Sequence, residues 1–119
     1  MNISIYEVGP RDGLQALKRP VETATKKQLI ASLYDAGLRS IEEVSFAHPR
    51  LVPQMADAEE VFDRGSALVM NKRGYDRAVS AGVQKFNIVF SPCETFNMQN
   101  MGKTRSEILL MYKTFMDKV

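Results

Sequence analysis

Ala36-Gly37-Leu38-Arg39-Ser40-Ile41-Glu42-Glu43-Val44-Ser45-Phe46 is the stretch that decides the fold. It runs from a helix end through a glycine turn into a β-prone segment. The same order returns at Ala81-Gly82-Val83-Gln84-Lys85-Phe86-Asn87-Ile88-Val89. Apolar residues occupy matching places in the two copies, Leu38, Ile41 and Val44 in one and Val83, Phe86 and Val89 in the other. A helix stopped at glycine and followed at once by a buried strand is the second half of a βαβ unit. Finding it twice predicts strands alternating with helices in a parallel sheet.

The rest of the chain continues the pattern outward from these two copies. Ile3-Ser4-Ile5-Tyr6-Glu7-Val8 alternates and reads as a first strand, which Gly9-Pro10 breaks. Thr25-Lys26-Lys27-Gln28 has the capping-box pattern of a helix start, with Leu29, Ile30, Leu33, Tyr34 and Ala36 on one face before Gly37. Ser40 to Phe46 is the second strand. Pro53 opens a short helix through Phe62, ended near Gly65. Ala67 to Met70 is the third strand, and Tyr75 to Ala81 a helix closed by Gly82. Lys85 to Phe90 is the fourth strand, stopped by Pro92. Thr104-Arg105-Ser106-Glu107 is a second capping box, leading a helix with Ile108, Met111, Tyr112, Phe115 and Met116 on one face. The expectation is an α/β chain, β-α four times over residues 1–119, in one domain with right-handed crossovers.

Composition narrows the function classes. Hydrophobic residues are 45% of the chain, enough for a core. A net charge of +2, dispersed among acids, argues against a nucleic-acid surface. Cys93 is the single cysteine, so no intrachain disulfide forms. No apolar run approaches the ~20 residues of a membrane span. A strand-like segment from Ile3 leaves no secretory signal, and the expected location is cytoplasmic.

The chemistry concentrates in Glu7-Val8-Gly9-Pro10-Arg11-Asp12-Gly13-Leu14-Gln15. It puts Arg, Asp and Gln just past the first strand, at the end where parallel α/β folds build their sites. Arginine is a permanent cation suited to a developing oxyanion, and aspartate offers hard oxygen to a divalent metal. From spacing alone, a surface loop with a salt-bridging pair accounts for Arg11-Asp12 equally well. Glu42 lies within an apolar strand, where a carboxylate must be paired or bound to metal; a buried ion pair with Arg11 is the structural alternative. Glu43 has the opposite phase and reads as a partner for a helix-face Lys or Arg. His48 reads as a loop residue, Cys93 as a small apolar filler or ordinary thiol, and the methionines as packing material.

Glu7 through Gln15 resembles the signature of 3-hydroxy-3-methylglutaryl-CoA lyases, a branch of the metal-dependent lyase and aldolase barrels. The resemblance continues through Ala36-Gly37-Leu38, Ile41-Glu42-Glu43-Val44-Ser45-Phe46 and Pro49-x-x-Val52-Pro53-Gln54-Met55-x-Asp57. It returns at Gly74-Tyr75-x-x-Ala78, Ala81-Gly82-Val83 and Glu94-Thr95-Phe96-Asn97. It implies a parallel (βα)4 half of a TIM barrel and cleavage of an acyl-CoA to acetyl-CoA and acetoacetate with Mg²⁺ or Mn²⁺. By the same resemblance Arg11 and Glu42 are catalytic, Asp12 is a metal ligand, and Gln15, Ser45 and Asn71 touch substrate. Met70 stands where the family usually has proline. The family's later His-x-His pair and Gly-rich cysteine loop have no match here, and the helical pattern runs on to Lys118-Val119 without a cap. The expectation is therefore half a barrel, as a truncated product, a fragment of a longer protein or one piece of a split enzyme, with inward side chains such as Val44 and Val89 lacking an opposing layer. Its expected partners are an acyl-CoA and either a second copy or a complementing C-terminal half, with no nucleic acid and no membrane. A non-catalytic half-barrel and a related aldolase or Claisen-condensing enzyme are the alternatives.

Overall fold

The computed structural model describes residues 1–117. Its strands are β1 (Tyr6–Glu7), β2 (Ser40–Ser45), β3 (Ser66–Leu68) and β4 (Phe86–Asn87), in one four-stranded sheet in the order β1-β2-β3-β4. Every neighbouring pair is parallel. Helices α1 (Thr23–Asp35), α2 (Ala58–Val61) and α3 (Lys72–Ser80) make the crossovers. After β4 come α4 (Glu94–Met101) and α5 (Arg105–Met116). Strands laid down in sequence order, with no reversal, form the wall of a barrel rather than a doubly wound sheet.

The internal repeat corresponds to one helix-stop geometry used twice. Gly37 has φ +97° and Gly82 φ +87°, left-handed values that favour glycine. Beside them the Leu38 N–H donates to the Leu33 carbonyl at 3.2 Å, and the Val83 N–H to the Ala78 carbonyl at 3.0 Å. The α5 capping box is present as expected, with Thr104 and Glu107 bonded reciprocally. Lys118 and Val119, which the sequence pattern assigns to the same helix, lie outside the described residues.

Several boundaries differ from the sequence expectation. Helix α1 begins at Thr23, so Thr25 is inside it, and its Glu22 cap makes no side-chain bond. Thr23 instead donates to Asp57 at 2.6 Å, a tertiary contact that replaces the local cap. The helix expected from Pro53 to Phe62 divides into a 3₁₀ turn, Pro53–Met55, and α2, because Asp57 between them is held by Lys26 and Thr23. Edge strands β1 and β4 are shorter than predicted, and Ile3 and Ile5 remain exposed. Helix α4 gave no signal, since among its residues only Asn97 is buried while Phe96 and Met98 face water.

The core lies between the sheet and its helices. It joins Ile30 of α1, Val61 of α2, Ala78 of α3 and Ile108, Tyr112 and Phe115 of α5 to Val44, Phe46, Ala67 and Val69. Tyr75 stacks on Phe115 with ring centroids 4.9 Å apart. Val44 thus faces the helices, not a barrel interior. The cause is a register shift in β2: Glu42 pairs with Ser66 but Val44 pairs with Ala67, so β2 carries one extra residue, Glu43. A bulge of this kind breaks the simple alternation of faces. Among the described residues no helix is long and apolar enough to cross a membrane.

Candidate functional site

Arg11 is carried by a single wide turn, Gly9–Gly13, at the C-terminal end of β1. Pro10 is buried at its start, and the Asp12 N–H donates back to the Val8 carbonyl at 2.7 Å. The Glu7 carboxylate accepts the Gly9 N–H at 2.6 Å, which fixes the exit from the strand. This turn brings the guanidinium back over the open face of the sheet. There Arg11 Nε donates to Glu42 Oε1, and Nη1 donates to Asp12 Oδ1 at 3.0 Å.

Burial separates the two carboxylates. The Glu42 side chain is 5% exposed, Arg11 15% and Asp12 67%. Glu42 is closed off on both sides, since Asn87 Nδ2 donates to its other oxygen. Asn87 Nδ2 also lies 2.6 Å from Tyr6 Oη and 3.1 Å from Ser66 Oγ, two hydroxyls that contact each other and compete for its second N–H. The open face therefore carries a polar chain drawn from all four strands: Arg11 beyond β1 with Tyr6 on it, Glu42 on β2, Ser66 on β3 and Asn87 on β4. Such a network orders its members because each buried polar group is satisfied by the next.

The structure brings Arg11, Asp12 and Glu42 together and leaves the other candidates apart. Gln15 contacts no partner: its Oε1 is buried without a hydrogen bond. The buried Ser45 hydroxyl accepts the Ala47 N–H at 3.2 Å. Asn71 caps α3, its Oδ1 accepting the Gly74 N–H at 2.8 Å. His48 is exposed and its Nδ1 accepts the Arg50 N–H at 3.2 Å. Cys93 is exposed ahead of α4 rather than packed as filler. Met98 and Met116 are about half exposed, whereas Met55 is buried.

Asn87, Ser66 and Tyr6 were missed from sequence. The signal for Asn87 was available, as it is a polar residue within an apolar strand, the feature that singled out Glu42. Glu43 has the phase expected of it, toward the helices, but not the expected partner. It is fully buried, and its partners are the Tyr34 hydroxyl at 2.6 Å and the Asp63 and Gly65 N–H groups at 2.7 and 2.9 Å, with no Lys or Arg side chain among them. Burial pushes the Tyr34 phenol well above its ordinary value, and its bond to Glu43 adds to the rise.

A divalent cation needs about six oxygens, several of them from protein. Asp12 is the only open carboxylate of the cluster, because both Glu42 oxygens are taken. Among the described residues no three His, Cys, Asp or Glu side chains converge. The residues present thus fall short of a cation site, and Asp12 supplies one ligand to it at most.

The chain is 42% identical to the mitochondrial hydroxymethylglutaryl-CoA lyase of Arabidopsis thaliana, over 93% of this chain and 25% of that protein. It is 35% identical to the (R)-citramalyl-CoA lyase of Chloroflexus aurantiacus, over 95% of this chain and 41% of that one. The structure superposes with a TM-score of 0.91 on an HMG-CoA lyase from Acinetobacter baumannii in complex with coenzyme A and 3-methylmalate, 33% identical, covering 97% of this chain and 40% of that one. The chain therefore spans between a quarter and about two-fifths of the length of these relatives, and its four parallel strands match the N-terminal part of HMG-CoA lyase barrels. The model of the HMGL-like family matches residues 2–119, and the chain belongs to that family.

Proposed function

We propose that this chain forms the N-terminal wall of a carbon–carbon lyase that cleaves 3-hydroxy-3-methylglutaryl-CoA to acetyl-CoA and acetoacetate. The observation that carries the reading is the Arg11 guanidinium, aimed by the buried Glu42 carboxylate beside an open Asp12 at the strand ends. In the reaction a base takes the C3 hydroxyl proton and the C2–C3 bond breaks. Its electron pair passes to C2 and the thioester oxygen, and the enolate then takes a proton at C2. Arg11 stabilises the charge on that oxygen. Glu42 fixes the direction of the guanidinium and balances its charge before substrate arrives. Gln15 meets a substrate or water donor with its unpartnered Oε1. Asn71 retains its amide N–H groups and Ser45 its O–H for contacts beyond their local bonds. Asp12 offers one hard oxygen to a Mg²⁺ or Mn²⁺ ion, which when bound polarises the substrate oxygens.

The similarity to a citramalyl-CoA lyase supports a second reading, the same bond cleavage on a neighbouring acyl-CoA. A chimaera tests both, with this chain replacing the matching segment of the Arabidopsis enzyme. Acetoacetate release from 3-hydroxy-3-methylglutaryl-CoA with Mg²⁺ is expected, and Arg11→Met is expected to lower kcat by about 10²–10³. Turnover of citramalyl-CoA alone would transfer the assignment to the second reading. A folded chimaera that binds coenzyme A and breaks the carbon–carbon bond of neither acyl-CoA would overturn both.

A further inference from the structure

Glu43 is a fully buried carboxylate that the proposed chemistry does not use. Its Oε1 accepts the Tyr34 O–H at 2.6 Å, the Gly65 N–H at 2.9 Å and the Arg64 N–H at 3.4 Å, and its Oε2 accepts the Asp63 N–H at 2.7 Å. Consecutive backbone N–H groups turned on one anion make a nest of partial positive charge. The surroundings are built to hold it. A Cβ on Gly65 would sit 2.4 Å from the Ile41 carbonyl oxygen and 2.8 Å from both Glu43 Oε1 and Tyr34 Oη. The Arg64 guanidinium lies 4.1 Å over the Tyr34 ring, covering the nest from outside.

The position of this carboxylate in β2 gives it a further consequence. Glu43 is the extra residue of the bulge, paired to nothing on β3, with Glu42 before it and Val44 after it. An extra residue in a strand can slip by one, and a slip exchanges the faces of its neighbours. Here the neighbours are the carboxylate that holds Arg11 and a valine of the core.

We propose that Glu43 is a positioning residue for the lyase site: its anchorage in the Asp63–Gly65 turn and on Tyr34 locks the β2 bulge and so aims Glu42 at Arg11. This rests on the reading of Arg11 and Glu42 as site residues, but the lock itself is read out without turnover.

The test uses the 119-residue chain and the ¹⁵Nε–¹H signal of Arg11. Hydrogen exchange at Nε–H reports the Glu42 pairing, and backbone exchange at Val69, buried and bonded to the Asn87 carbonyl away from the bulge, reports general opening. Glu43→Gln keeps the shape but turns acceptor positions into an N–H₂ donor. The expected result is exchange at Arg11 Nε faster by about tenfold than any acceleration at Val69. Tyr34→Phe removes one donor and should show the same selective change by a smaller factor. Asp57→Asn, which loosens α1 at its other end, should accelerate both sites in proportion. If Glu43→Gln does not fold, Tyr34→Phe decides alone. Equal acceleration at Arg11 Nε and Val69 in the Glu43 and Tyr34 variants would reduce Glu43 to a structural anchor and overturn the proposal. A selective change at Arg11 in a chain whose chimaera breaks the carbon–carbon bond of neither acyl-CoA would keep the lock and discard the lyase reading.

Discussion

Glu42 and Asp12 both touch Arg11, yet water reaches 5% of one side chain and 67% of the other. Removing one partner of a buried pair leaves an uncompensated charge, at a cost of about 3–5 kcal/mol. An exposed carboxylate contributes far less, within about 0.5 kcal/mol. Glu42→Ala is therefore expected to lower the urea midpoint strongly, while Asp12→Ala leaves it nearly unchanged. Equal losses for the two variants would show that the guanidinium is held by Asp12 instead. Glu42 was legible in the sequence because a carboxylate in an apolar strand has to find a partner, and Arg11 is that partner. The partners of Glu43 were not legible, because they are backbone N–H groups of a distant turn and a tyrosine hydroxyl, and the face of Val44 was not, because nothing local announces the bulge. Asn87 would have been found by applying to β4 the argument used for β2.

At the scale of elements, the start of α1 is set by a buried lysine. Lys26 is 3% exposed, and its Nζ donates to Asp57 at 2.7 Å and to the Gln54 carbonyl. Gln54 in turn donates to the Leu17 carbonyl at 2.6 Å, so the 3₁₀ turn grips the segment that follows Arg11 and Gln15. Burial alone would raise Asp57, but its bonds from Lys26 and Thr23 outweigh that, and its carboxyl lies below the ordinary range. The sign follows from linkage: a carboxylate depressed in the folded state stabilises above its unfolded pKa of about 3.9 and loses that stabilisation as pH falls through the folded value. The gap in unfolding free energy between the natural chain and Asp57→Asn should thus be flat from about pH 7 to 5 and shrink below about pH 4. A gap that persists unchanged at about pH 3 would mean that the charge on Asp57 is not what holds the latch. The same contact explains why the capping pattern at Thr25 misled: Thr23 and Lys26 spend their polar groups on Asp57, so tertiary bonding sets the boundary. At α5 the Thr104–Glu107 box has no such competitor, and the local pattern was sufficient.

The whole molecule presents a four-stranded parallel sheet whose helix-covered face is closed and whose other face is open. Small barrels of this kind close with eight strands, so β1 and β4 are edges with unpaired backbone groups. Val44 does not add to the exposed surface as its strand phase suggested, since the bulge turns it into the core. The wet apolar side chains are instead near the edges: Ile3 at 82% and Ile5 at 66% before β1, and Val89 at 43% and Phe90 at 48% after β4. Each large apolar side chain left in water forgoes roughly 1.5–3 kcal/mol. A few of them amount to a large part of the about 5–15 kcal/mol that holds a domain folded. A two-fold pairing of copies of the 119-residue chain would cover them by placing the same patch on both sides of the contact. Sedimentation equilibrium at micromolar concentration is expected to give a dimer, with slowed amide exchange near Tyr6 and Asn87 that weakens on dilution. Ile3→Ser with Ile5→Ser should shift the equilibrium toward monomer, since the two side chains lie outside the core and their loss removes only contact area. A monomer with concentration-independent protection at both edges would show that the sheet tolerates its open sides alone, and the pairing would be discarded.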